Sequence, residues 1–122
     1  MKILSAIAVV AGLLVSLLAA GPVRAQPPMT DTCPHAATVT SLRACVQHAA
    51  DEGVIGNRGV VNSLLATLDA AEAAAERGQP AVAAEILAAF VREVEAQAGK
   101  HIASPHAEHL AMHARMVIEA LL

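Results

Sequence analysis

Histidine carries most of the potential chemistry in this chain. Six histidines occur, and four of them, His101, His106, His109 and His113, lie close together near the C-terminus. On a helix, His106, His109 and His113 fall within an arc of about 60°. Neutral imidazoles spaced i, i+3 and i+7 on one face can converge on a borderline cation such as Zn²⁺ or Cu²⁺. Met112 and Met116 adjoin this face, and thioethers suit Cu⁺. The competing reading is a solvated helix margin with methionine as ordinary boundary packing. Dedicated metal motifs usually add a carboxylate or cysteine at tight spacing. The expectation is therefore no cofactor, with Zn or Cu at His106, His109 and His113 as the alternative.

The other reactive side chains point away from catalysis. Glu85, Glu93, Glu95, Glu108 and Glu119 read as solvated helical positions, and nothing pairs them as an acid and a base. Ser63 and Ser104 lack a nearby His–Asp arrangement. No glycine-rich phosphate cradle follows a strand. The chain is expected not to be an enzyme. Its two cysteines, Cys33 and Cys45, form an even count in a short chain with an export signal, which predicts one disulfide. Closing so short a loop contributes roughly 3 kcal/mol through the unfolded state.

That export signal occupies residues 1–25. Lys2 is a positive n-region, Ile3 to Ala20 an apolar run, and Val23-Arg24-Ala25 a small-residue cleavage site. The run is near spanning length, so an uncleaved anchor is the competing reading. Gly21, Pro22 and the A-x-A-like site favour cleavage, and no span is expected afterwards. Secretion or periplasmic location follows. Cleavage leaves Arg43, Arg58, Arg77, Arg92, Lys100 and Arg115 scattered against 11 acidic side chains. Such a balance argues against nucleic acid or an anionic membrane surface as partner. Phe90 is the only aromatic residue, which disfavours stacking of sugars or bases.

Helices must position these groups. Residues 26–37, Pro-rich and polar at their start, are expected to be a flexible linker. Residues 38–122 are expected to form one domain of four helices. Thr38 or Thr40 caps the first, whose stripe is Val39, Leu42, Cys45, Val46 and Ala49, and Gly53 ends it. Asn57 caps the second, running from Arg58 to Arg77, with Val60, Val61, Leu64, Leu65, Leu68, Ala71 and Ala75 on its apolar face. Gly78-Gln79-Pro80 is a stop-and-restart signal. The third helix carries Val82, Ala83, Ile86, Leu87, Phe90, Val91 and Val94 and stops at Gly99. Lys100 is placed to bond its last carbonyls. Ile102 plugs the next turn, and Ser104 caps a fourth helix with Pro105 at its first position. Ala66, Ala70, Ala73 and Ala74 are left to face water or a second chain. Short loops make sequential helices antiparallel. The fold class is all-α, a small antiparallel four-helix bundle preceded by a cleavable signal peptide, with Leu64, Leu68, Ile86, Leu87, Phe90 and Leu110 in its core.

The order of these residues resembles the FIMAH-type helical domain of bacterial exported proteins. The shared pattern here is Gly53, Ile55, Asn57, then Ser63, Leu64, Leu68, Ala71, then Gly78, Ala83, Leu87, Phe90, then Gly99, Lys100, Ile102, Ser104, and finally Ala107, Leu110 and Ala114. The match covers residues 53–122 well and the first helix loosely. It implies a helical module usually appended to larger secreted proteins, many of them hydrolases, and brings no catalytic residues. Cys33 and Cys45 lie outside the pattern. The expected function is non-catalytic binding of an extracellular protein or envelope component. A metal-binding protein using the fourth-helix histidines is the alternative.

Overall fold

In the computed structural model, residues 33–122 are described. They form four helices: α1 (Val39–Asp51), α2 (Arg58–Glu76), α3 (Pro80–Gln97) and α4 (Ser104–Leu121). The signal expected at residues 1–25 and the start of the linker lie outside the described residues. No helix among the described residues is long and apolar enough to cross a membrane.

The turns form where backbone chemistry requires them. Gly53, Gly78 and Gly99 all take left-handed φ values, of 76°, 76° and 78°. That region costs a residue with a Cβ roughly 1–2 kcal/mol. Thr38 caps α1 by accepting from the Ser41 N–H, and Asn57 caps α2 by accepting from the Val60 N–H. Pro80 opens α3, where its missing N–H leaves no bond unmade.

Two expectations at the last turn need correction. Ser104 does not cap α4. Ala103 takes the cap position, and its carbonyl accepts from the N–H groups of both His106 and Ala107. The helix therefore begins one residue earlier, with Ser104 inside it. The carbonyl of Gln97, at the end of α3, accepts backbone N–H groups of Lys100, His101 and Ile102. The main chain thus does the work expected of the Lys100 side chain.

Each helix packs against two others, α1 with α2, α2 with α3, α3 with α4, and α4 back on α1. The bundle is a closed four-sided ring. One end is fastened by main-chain pairing between the α1–α2 and α3–α4 turns. Gly56 N–H donates to the His101 carbonyl at 2.8 Å, and Ala103 N–H donates to the Val54 carbonyl at 3.2 Å. Ile55 and Ile102, paired across this bridge, are both buried.

The core runs down the middle of the ring. Leu64, Leu68, Leu87 and Phe90 are wholly buried, and Leu110 is nearly so. Ile86 is only half-buried and packs against the rim of the core. Two faces are rotated from expectation. Ala74, expected outside, is fully buried, whereas Ala75 is half-exposed; Val82 is exposed. A small side chain at Ala74 lets α3 approach α2, and Ala83 and Ala84 are buried on the opposing helix.

Candidate functional site

Residues 33–37, expected within a flexible linker, are instead tied to the bundle. The bond between Cys33 and Cys45 fastens this strap to α1. Ser41, buried in the first turn of α1, holds it a second time. Its hydroxyl donates to the Pro34 carbonyl and accepts from the Ala36 N–H. A third hold comes from α4, where His113 Nε2 lies 2.7 Å from the Ala36 carbonyl oxygen. A carbonyl only accepts, so Nε2 carries the hydrogen.

A pocket of about 210 Å³ opens beside this strap. Cys33 and His35 line it from the strap, Cys45, His48 and Ala49 from α1, and His106, His109, Leu110 and His113 from α4. Five of the six histidines therefore meet in one place, and His101 lies apart, exposed in the α3–α4 turn. The His35 ring stacks on His113, with centroids 5.7 Å apart and planes inclined by 19°. It also meets His109 at 5.4 Å in a tilted arrangement. His113 is 4% exposed. His106 and His109 are exposed at the rim.

The three histidines named from the sequence thus share a pocket but differ in role. His106 and His109 are exposed, His109 with its ring against His35, and His113 is committed through Nε2 to the strap. Among the described residues, the three ligand-type side chains whose donor atoms all lie within 4.8 Å of one another are Cys33, Cys45 and His113. Sequence reasoning missed His35 and His48. Both carry a local signal: His35 is two residues past Cys33, and His48 is one helical turn past Cys45. Met112 and Met116 are exposed, and neither lines the pocket.

Charge across the helices is arranged outside this pocket. Arg43 on α1 reaches Asp69 at 2.6 Å and Glu72 at 2.7 Å on α2. The Glu72 hydrogen bond, more than that of Asp69, raises the Arg43 pKa above its ordinary value. Arg115 on α4 pairs with Glu95 on α3. Both links tie adjacent sides of the ring. Asn57 Oδ1 is used as the cap of α2, accepting from the Val60 N–H at 3.0 Å.

The architecture is that of a small closed helical bundle whose sequence pattern is divided between its turns and the buried faces of its helices. The FIMAH domain family model matches residues 39–119, and the chain belongs to that family. Comparison with curated proteins and with solved structures gave no match.

Proposed function

We propose that this chain is a non-catalytic recognition module of an exported protein, binding an extracellular protein or envelope component at the strap-side pocket. The observation that carries this reading is the convergence of five histidines from three separate segments on one cavity. A concave site with an apolar floor and a few converging polar groups is the usual form of a binding site. Here Leu110 and Ala49 supply the floor, and the imidazoles supply hydrogen-bond donors and acceptors. Family membership and the Cys33–Cys45 bond both fit a location outside the cytoplasm.

The test is affinity capture from native culture fluid with the mature protein and with a His35→Ala/His109→Ala variant. A partner retained by the parent and lost by the variant supports the pocket. Retention by both moves recognition to another face.

A second reading is Zn or Cu binding at the histidines of the oxidised protein. Its support is the position of His106, His109 and His113 around one cavity. Calorimetric titration with Zn²⁺ and Cu²⁺ tests it. Affinity no greater than that of a His-rich control peptide rejects it.

A further inference from the structure

The buried imidazole of His113 has one nitrogen with no proper partner. Nε2 is spent on the Ala36 carbonyl. In the neutral ring Nδ1 is then an acceptor, and it faces Cys45 Sγ at 3.5 Å. A disulfide sulfur has no hydrogen to give. The pairing therefore leaves an acceptor lone pair facing a sulfur that cannot donate, on a side chain that is 4% exposed. Burying an acceptor unmet is costly, and such a group calls for an explanation.

The geometry supplies one. We propose that reduction of Cys33–Cys45 converts this corner of the pocket into a Zn²⁺ site with Cys33 Sγ, Cys45 Sγ and His113 Nδ1 as ligands. In a tetrahedral site with Zn–S near 2.3 Å and Zn–N near 2.05 Å, sulfur and nitrogen ligands sit about 3.6 Å apart. The separation of Cys45 Sγ from His113 Nδ1 is 3.5 Å, already one edge of that tetrahedron. All three donor atoms lie within 4.8 Å of one another. Only Cys33 has to move, and it sits on the non-helical strap rather than in a helix. The Nε2 bond to Ala36 is the support a metal-bound imidazole requires, because it fixes both ring orientation and tautomer. The fourth position opens into the pocket and takes water.

The chemistry balances. A dithiol reductant gives two electrons and two protons to the disulfide and leaves as its own disulfide. The protein then carries two thiols. Zn²⁺ displaces both thiol protons and binds as the bis-thiolate. Reoxidation by a disulfide or similar oxidant expels the metal, since the new S–S bond consumes two ligands. This site differs from the histidine reading above in its donors and in its redox requirement.

The experiment reduces the full mature chain with a dithiol, removes the reductant anaerobically, and titrates Zn²⁺ against a chromophoric chelator. In parallel, Co²⁺ serves as a spectroscopic substitute. The expected result is one Zn²⁺ per chain in the reduced protein and at least about 100-fold weaker binding in the oxidised protein. Co²⁺ should show sulfur-to-metal charge transfer and the intense visible bands of a tetrahedral centre. Cys33→Ser, at the half-exposed strap position, should abolish the charge-transfer intensity expected of two thiolates and weaken binding. His113→Ala should weaken it by about 10-fold or more, with circular dichroism confirming the helices. Equal binding in both redox states overturns the proposal. So does an octahedral Co²⁺ spectrum in the reduced protein. Loss of binding in His106→Ala or His109→Ala, with His113→Ala and Cys33→Ser unaffected, overturns it as well and favours the histidine site.

Discussion

Ile55 and Ile102 sit opposite each other across an antiparallel bridge that joins two turns far apart in sequence. Ile102 is 1% exposed, in a turn that would otherwise be solvated. This contact and the two main-chain bonds beside it fasten one end of the ring. Ile102→Ala is expected to cost about 2–5 kcal/mol, and Ile102→Val about 0.5–1.5 kcal/mol. Phe90→Ala, at the centre of the core, is expected to cost about 3–5 kcal/mol. Urea unfolding followed by circular dichroism measures all three.

Gly78 separates conformational strain from packing. Its φ is 76°, and an added Cβ would meet nothing within 4 Å. Gly78→Ala should therefore cost about 1–2 kcal/mol through the backbone alone. Gly56 also has open space around it but no positive φ. Gly56→Ala should fall within about 0.5 kcal/mol of the parent. Equal effects at the two glycines would remove the conformational account of the α2–α3 turn.

Ser41 holds the strap independently of the disulfide. Ser41→Ala leaves the Pro34 carbonyl and the Ala36 N–H without their partner. The expected loss is about 1–3 kcal/mol, together with faster hydrogen exchange at Ala36. Exchange at the core of α3 should change only with global stability.

Arg43 joins α1 to α2, but Asp69 is open to water at 72% side-chain exposure and Glu72 is one-third exposed, at 33%. Arg43→Met is expected to cost under about 1 kcal/mol, and less at high salt. The Arg43 pKa is raised, so its stabilising contribution is present below the unfolded-state value and is lost only as pH rises through the folded-state value. Both lie far into the alkaline range. Titration of Arg43 itself should leave no slope in stability between about pH 5 and pH 9. Chemical denaturation of the parent and of Arg43→Met across that range checks it, the two stability curves running parallel through the alkaline half.

Much of the frame was readable from local rules. Asn57 directly after Gly56, the Gly78-Gln79-Pro80 run and the Gly99 stop each specify backbone geometry within a few residues. The burial of Leu64, Leu68, Leu87 and Phe90 follows from a period of 3.6. Periodicity treats one helix at a time, however, and does not state how closely two helices approach. That is why Ala74 and Ala75 exchanged places. Ser104 is much the better cap by residue type, yet Ala103 takes that position with no side-chain cap bond, its N–H donating to the Val54 carbonyl. The pocket was half legible. The α4 histidines share a face by spacing, but His35 joins them because a non-periodic segment folds back across α1. Nothing in the local pattern around Ala36 foretells its bond to His113.

The end clasp has a consequence for how this frame can vary. Its bonds run between peptide groups at Val54, Gly56, His101 and Ala103, so they tolerate wide change on the outward sides of the helices. The residues that carry the family resemblance lie both where the chain reverses, as at Gly53, Gly78 and Gly99, and on the inward faces of the helices, as at Leu64, Leu87 and Phe90. A frame held by peptide-group closure and an inward apolar lining leaves its water-facing side chains unconstrained by the fold.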